Sequence, residues 1–297
     1  MKHLKTVSEL HRDLGWAPPE NPMFSIVSQF SDQLPEERFS TDCYLIRFDL
    51  RDEGIPSAVL PEGTHGNGAM RFIHPGTDIS AREITVGSNG FVIVAHKDFF
   101  RGQRLAQSIN TYHFFQYYAS ESLFFAPCEA KLITSLKTKM EREYYNNTDE
   151  YSKDIILSHY EAMLIYVKRF YKRQFRDQMA ITDSVSERFK SHLETYIKSG
   201  LLKRKGIPAA AHFAKQQQLS PYYLNDVLQF KTGNTVEGLV LIALIAKARE
   251  LLSNSPVSIE EIAYTLGFKE IKKFALLFTK MEGYPPEMFR TPKGGSA

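Results

Sequence analysis

The segment Val257–Arg290 constrains the fold more tightly than any other part of the chain, because nearly every residue in it fits one local structure. Ser258 is a favourable N-cap, and Glu260 and Glu261 follow in the first turn, where the helix dipole favours carboxylates. Gly267 stands where a helix ends in a left-handed residue that glycine adopts at little cost. Between them, apolar residues recur at helical spacing at Ile259, Ile262, Ala263 and Leu266.

A second helix is predicted to begin near Lys269 or Glu270 and to end at Gly283 and the Pro285-Pro286 pair. Its apolar positions are Ile271, Phe274, Leu277, Phe278 and Met281. Two helices joined by a tight glycine turn around a small shared core predict a helix-turn-helix unit. In such a unit the second helix can lie in the major groove of DNA.

Three runs in this segment resemble the C-terminal signature of AraC/XylS-family transcription regulators: EIAYTLGF (261–268), KKFALLF (272–278) and EGYPPEMFR (282–290). The family carries two helix-turn-helix units, and LSPYYLNDVLQFKTGNT (219–235) resembles the first of them. The apolar helix that follows, up to Leu252, corresponds to the rigid connector between the two units. The resemblance implies a C-terminal DNA-binding domain over residues 181–297.

The same resemblance implies which side chains face DNA. The expected contacts are Tyr222, Tyr223, Asn225 and Gln229 in the first unit and Lys269, Glu270, Lys272 and Lys273 in the second. We expect the lysines to contact phosphate first and bases second. Four departures from the family pattern are Gln217, which replaces an apolar residue; Leu244, which replaces a basic or polar one; and Asn225-Asp226 and Ala275-Leu276, each where a Ser-Arg pair is common.

Length and charge agree with this division. A chain of 297 residues has room for about two domains. Residues 181–297 hold 16 Lys and Arg against 11 Asp and Glu, whereas residues 1–180 hold 21 against 23. A basic C-terminal part suits DNA contact at one end of the chain.

No apolar run reaches the roughly 20 residues of a membrane helix, and the N-terminus lacks the apolar stretch of a signal peptide. The two cysteines form no CxxC pair and lie far apart in the chain, which favours a reducing compartment. We therefore expect a cytoplasmic protein without membrane contact.

Residues 1–130 contain the strand-like runs of the chain. They are CYLIRFDL (43–50), AMRFIHPG (69–76), ISAREITVG (79–87) and GFVIVAHKDFF (90–100), separated by glycine-rich turns. Short strands at such spacing favour an antiparallel sandwich or barrel. The resemblance implies a cupin-like jelly roll here, so the expected fold class is α+β, with a β-barrel followed by helices.

A barrel of this kind has two readings. It can hold a small effector, for which Phe72, His74 and Phe91 are the candidate pocket residues, although aromatic clusters are more often ordinary core. It can also be a metalloenzyme, for which His65, His74, Glu83 and His96 are the available ligands. No HxH pair precedes a glutamate at short spacing, so the sequence predicts no metal site, no cofactor and no catalytic residue.

Residues 131–180 are predicted as a helical connector. One helix is expected over 130–145 and a longer one over 149–174, followed by a polar linker at 178–184. The longer helix carries an apolar stripe at Ile156, Tyr160, Met163, Leu164, Val167 and Phe170. That stripe either covers the sheet or pairs with a second copy of the chain.

Taken together, the resemblance implies a one-component transcription regulator, more often an activator than a repressor. Its expected partners are double-stranded promoter DNA, a small-molecule effector, RNA polymerase and a second copy of the chain. The open alternatives are a cupin-fold metalloenzyme with an appended helical domain and a regulator whose barrel binds only protein.

Overall fold

The computed structural model describes residues 2–30, 37–50, 68–87, 89–146 and 149–290. The chain forms two compact units, Met1–Met179 and Ala180–Ala297. The first unit combines a β-sheet with helices, and the second is helical among the residues described. The fold is therefore α+β.

The first unit begins with strand β1 (Lys2–Leu4) and helix α1 (Val7–Asp13). The strands β2 (Phe24–Val27), β3 (Phe39–Thr41), β4 (Cys43–Asp49), β5 (Ala69–Ile73) and β6 (Phe91–His96) follow. Short 3-10 helices and helix α2 (Arg104–Ser108) then lead to β7 (Leu123–Phe124). Strands β1 and β3 form a parallel pair, and the other five form an antiparallel sheet in the order β2-β6-β4-β5-β7. Among the described strands the sheet stays open, so the predicted closed barrel is not formed by them.

Both faces of the five-stranded sheet are buried, which explains the almost continuous apolar run of β6. One face packs Leu45, Val92 and Val94 against α1, in a core cluster that includes Leu10 and Trp16. The opposite face is aromatic, with Phe48 stacked on Phe91 at 4.9 Å and Phe72 tilted against Phe114 at 4.5 Å between ring centroids.

The run 79–87 is not a strand, in contrast to the prediction. Ser80 and Glu83 form a capping box around a 3-10 helix, Ala81–Glu83. The Ser80 backbone N–H and hydroxyl both donate to Oε1 of Glu83, at 3.1 and 3.2 Å. The alternating pattern of the sequence is thus overridden by local side-chain hydrogen bonds to the backbone. A single bridge from Ile79 to Phe39 is all that remains of strand pairing in the described part of this run.

Helices α3 (Pro127–Asn146) and α4 (Ser152–Asp177) lie in the first unit and pack against each other. The apolar stripe of α4 is buried within the unit, with Tyr160, Met163 and Val167 fully buried. The Gln174 side chain fastens α4 to the last strand, because its Oε1 accepts from the Phe124 backbone N–H at 2.8 Å. The stripe therefore lies inside this unit, where α4 packs against α3 and β7.

The second unit consists of α5 (Met179–Lys198), α6 (Leu201–Lys205), α7 (Ala210–Gln217), α8 (Pro221–Thr232), α9 (Val236–Asn254), α10 (Ile259–Thr265), α11 (Ile271–Glu282) and α12 (Pro286–Arg290). The polar segment 178–184, predicted as a linker, is almost entirely part of α5. Thr182, Val185 and Ser186 are buried there, so tertiary packing overrides the weak helix propensity of these residue types. In the described residues no helix is long and apolar enough to cross a membrane.

Candidate nucleic-acid interface

The first helix-turn-helix unit is formed by α7 and α8. The turn is made by Gln218, which ends α7 in the left-handed conformation with φ of 58°. Ser220 then caps α8, its hydroxyl accepting from the Tyr223 backbone N–H at 3.1 Å, and Pro221 occupies the first helical position. Phe213, Ala214, Leu224, Val227 and Leu228 form the buried contact between the two helices.

The four side chains of α8 that were expected to face DNA lie in three different environments. Tyr222 and Gln229 are exposed, at 38% for Tyr222. Tyr223 is only 8% exposed and belongs to the core of the unit. Asn225 is half-buried, and its Oδ1 accepts from the backbone N–H of Val236 at 3.1 Å. Tyr222 and Gln229 therefore face outward, whereas Tyr223 is buried. The amide oxygen of Asn225 is already hydrogen-bonded to the start of α9.

The second helix-turn-helix unit is formed by α10 and α11. The Ser258 hydroxyl accepts from the Glu261 backbone N–H at 3.1 Å and caps α10. Gly267 makes the turn at φ of +85°, and the next backbone N–H, of Phe268, donates to the Ala263 carbonyl at 3.0 Å. Phe268 and Phe274 meet edge to face at 5.3 Å, so the residue after the turn anchors α11 to the small core.

The outward face of α11 is basic. Lys272, Lys273 and Lys280 are exposed, and Lys269 precedes the helix in the same state. Glu270 pairs with Lys273 at 2.8 Å between two exposed side chains. An exposed pair of this kind is worth at most about 1 kcal/mol, so Lys273 can exchange it for a phosphate at small cost. All four side chains expected in this unit, Lys269, Glu270, Lys272 and Lys273, are at the surface.

Helix α6 adds a basic tract that the sequence interpretation passed over. Lys203, Arg204 and Lys205 are all exposed on it. Its C-terminal end lies directly against the turn of the second unit. A Cβ built on Gly267 would lie 3.0 Å from the Leu202 carbonyl oxygen and 3.1 Å from the Gly206 carbonyl carbon. The sequence shows this cluster of three basic residues. It does not show that the cluster lies beside the turn of the second unit, because that proximity comes from tertiary packing.

Tyr196 holds this arrangement from α5. Its hydroxyl donates to the Gly206 carbonyl at 3.1 Å, and its ring meets His212 of α7 edge to face at 5.0 Å. Burial raises the pKa of the Tyr196 hydroxyl above its usual range, so it remains a protonated donor. One side chain thus ties α6, and through it the second unit, to the helix that begins the first.

Helix α9 joins the two units. The Thr235 hydroxyl caps it by accepting from the Gly238 backbone N–H at 3.1 Å, and Asn225 accepts from the N–H of Val236. Its 19 residues span about 28 Å. Leu244, where the family pattern has a basic or polar residue, is fully buried in this helix and cannot reach a phosphate.

The candidate effector residues of the first unit lie within packed regions. Phe72 and Phe91 are 2% and 3% exposed and make the ring contacts already described. His74 is half-buried, its Nδ1 lies 2.8 Å from the Pro75 carbonyl, and its ring meets Tyr44 edge to face at 5.3 Å. A groove of about 440 Å³ runs instead along α3, lined by Lys131, Thr134, Ser135, Thr138, Lys139 and Arg142. His65 lies outside the described residues, and among those described no three His, Cys, Asp or Glu side chains are grouped to hold a metal ion.

The family model described as a helix-turn-helix domain matches residues 213–291. The HTH-type transcriptional activator RhaR of Salmonella arizonae is 32% identical over 78 residues, covering 26% of this chain and 28% of that protein. RhaR of Salmonella newport matches to the same extent. The chain thus covers little more than a quarter of the length of the curated relatives.

Two solved structures are also similar. The C-terminal domain of the two-component response regulator yesN from Fusobacterium nucleatum is 22% identical, with a TM-score of 0.31, over 34% of this chain and 96% of that one. ToxT from Vibrio cholerae is 14% identical, with a TM-score of 0.31, over 92% of this chain and 100% of that one.

The C-terminal unit is therefore a helix-turn-helix domain, of the class that binds DNA. The match to this model and the similarity to the RhaR activators agree with the resemblance of this unit to AraC/XylS-family regulators.

Proposed function

We propose that the chain is a sequence-specific DNA-binding transcription regulator whose two helix-turn-helix units contact one face of the duplex. The observation that carries the proposal is the pairing of two such units around α9, each with a second helix that presents side chains outward. Major grooves on one face of B-DNA recur about every 34 Å. A rigid helix of about 28 Å is of the same order as that spacing.

Contacts to phosphate and contacts to bases come from different residues in this proposal. Lys269, Lys272 and Lys273, together with Lys203, Arg204 and Lys205 of α6, neutralise phosphates around the second unit. Tyr222 and Gln229 reach base edges from α8, and glutamine suits the donor and acceptor pair of adenine. Tyr223 is left out because it is buried, and Asn225 because its oxygen caps α9.

The first unit supplies the input to the regulator in this proposal, by binding a small effector, by pairing with a second copy, or by both. In chain order, the sheet covered by α3 and α4 precedes the helix-turn-helix units, as the cupin-like domain does in the family. Helix α4 exposes Ile155 and Ile165 at 38% and 55%, on the side away from its buried stripe, and these suit contact with another chain. Regulation in the activating sense is proposed because the similar RhaR proteins are transcriptional activators. RNA polymerase is the partner that activation of this kind would require.

The test of DNA binding is the double variant Lys272→Ala with Lys273→Ala, studied in the full chain. Loss of two phosphate contacts is expected to weaken binding to a selected DNA site. It should also reduce the slope of log affinity against log salt by about 2. The matched control is Lys168→Ala with Lys172→Ala, two exposed lysines of α4 in the first unit, which removes the same charge.

An unchanged affinity and salt slope in the α11 variant would contradict the assignment of that helix. A slope that falls equally in both variants would show that net charge, rather than this face, sets the binding. The input of the first unit is tested separately, by screening small metabolites for a rise in its melting temperature and by sedimentation of the full chain. Binding of a stoichiometric iron, manganese or zinc ion would instead favour the metalloenzyme alternative.

A further inference from the structure

Leu276 is the most exposed large hydrophobic side chain among the described residues, with 74% of its surface accessible. It lies near the middle of α11 and is two residues away from Phe274 and from Phe278, which are both fully buried. A separation of two residues turns about 200° around a helix, so Leu276 points almost directly away from the core. Its position on the outward face is thus fixed by the packing of the two phenylalanines.

The surroundings of Leu276 are cationic. Lys272 and Lys273 lie one turn before it on the same face, and Lys280 lies one turn after it. Met281, the other exposed large apolar side chain of α11, lies at a different angle on the helix. An apolar side chain surrounded by three lysines suits a polyanion that carries an apolar group better than it suits an apolar protein surface.

DNA has one such group in the major groove, the 5-methyl group of thymine. Leucine can form no hydrogen bond with a base edge, and arginine, which makes the commonest contact to guanine, is absent from both α8 and α11. We propose that Leu276 is a specificity-determining residue that selects thymine at one position of the site through contact with its methyl group. This inference rests on the proposed DNA-binding function and adds to it the base read by the second unit.

The experiment uses the full chain and a DNA site obtained by selection from random sequences. Each thymine of the site is replaced in turn by deoxyuridine, which lacks only the 5-methyl group. Burying one methyl group is worth about 0.8 kcal/mol, so one replacement should weaken binding of the unmodified protein about fourfold. In Leu276→Ala the affinity for the thymine site should fall, and the effect of deoxyuridine at that one position should disappear.

Two further variants keep the result interpretable. Leu276→Met retains a long apolar side chain and should keep the preference for thymine over deoxyuridine. Ile242→Ala removes an apolar side chain of α9 that is 44% exposed and should leave every replacement unchanged. Since Leu276 contributes nothing to the core, Leu276→Ala is expected to fold as the unmodified chain does.

The outcomes separate the inference from the proposed function. A thymine whose deoxyuridine effect is lost only in Leu276→Ala supports the inference. Selective DNA binding in which no thymine depends on its methyl group, or in which the dependence survives in Leu276→Ala, overturns the role of Leu276 and leaves the proposed function standing. Failure of the unmodified chain to enrich any sequence overturns the proposed function, and the inference with it.

Discussion

The two helix-turn-helix units make the same left-handed turn between their helices with different residues. In the first unit the left-handed turn residue is Gln218, with φ of 58°, whereas in the second it is Gly267, with φ of +85°. This left-handed backbone conformation costs a residue with a side chain roughly 1–2 kcal/mol more than it costs glycine. Gln218 is exposed at the first turn, but the second turn lies against the backbone of α6, where a Cβ on Gly267 would be 3.0 Å from a carbonyl oxygen. Glycine is therefore required at the second turn by contact as well as by conformation.

The units also differ in how they are fastened to the rest of the domain. The first is tied to α9 by a side-chain hydrogen bond, from the Val236 backbone N–H to Asn225. The second is held by close backbone packing of its turn on α6, which Tyr196 secures. The first unit also buries Gln217, at 7% exposure, and neither its amide oxygen nor its nitrogen has a hydrogen-bond partner among the described residues. The comparison indicates that the first unit is packed less favourably for stability than the second. It also indicates that contact with neighbouring backbone, and not residue type alone, decides where a substitution lowers stability.

The largest effect is expected from Gly267→Ala. Left-handed strain and the close approach to α6 act together, so unfolding of the C-terminal unit should become easier by about 2–3 kcal/mol. Gly283→Ala is the matched control, because Gly283 has φ of +86° and no atom within 4 Å of an added Cβ. It should cost only the strain, about 1 kcal/mol.

The measurement is chemical denaturation of the full chain followed by far-UV circular dichroism. Trp16, the single tryptophan, lies in the first unit, and its fluorescence should show an unchanged transition. Equal costs for the two glycine variants would show that the contact with α6 adds nothing to the strain.

The next largest effect is expected from Gln217→Leu, with the opposite sign. Removing two buried polar atoms that lack partners should stabilise the C-terminal unit by about 1–2 kcal/mol. Gln216→Leu, the same substitution at the neighbouring exposed position, should change stability by no more than about 0.5 kcal/mol. Denaturation midpoints of the two variants provide the test, and destabilisation by Gln217→Leu would mean that the amide has a partner in solution.

A smaller effect is expected from Asn225→Ala, which removes a cap from the first turn of α9. The expected cost is about 1 kcal/mol, and Asn225→Asp should recover most of it because a carboxylate oxygen can accept the same hydrogen bond. Base preference in a selection from random DNA should be the same for Asn225→Ala as for the unmodified chain. A changed preference with no loss of stability would instead make Asn225 a base-reading residue.

Sequence reasoning located those features whose cause is local. The N-cap at Ser258 and the turn at Gly267 follow from residue type and spacing, and the structure contains both. It was wrong where local hydrogen bonds or packing outweigh pattern, as in the run 79–87, where Ser80 and Glu83 form a capping box, and in the supposed linker 178–184.

At the candidate interface, the identity of the helices could be predicted but not the use of each side chain. Tyr223 and Tyr222 are adjacent and identical in chemistry, and only the rotation of α8 in the core decides which one is buried. The task of Asn225 depends on where α9 begins, 11 residues later. The position of α6 against Gly267 depends on contacts across more than 60 residues, which no local pattern encodes.

The central claim, that both units read DNA, is tested most directly by selecting bound sequences from random DNA with the full chain. The account predicts two short enriched elements with centres about 10.5 base pairs apart, as two helices in successive major grooves on one face require. It further predicts that Gln229→Ala relaxes only one element and Leu276→Ala only the other. The claim would be contradicted by a single enriched element that one of these variants leaves unchanged, or by the absence of any enriched sequence.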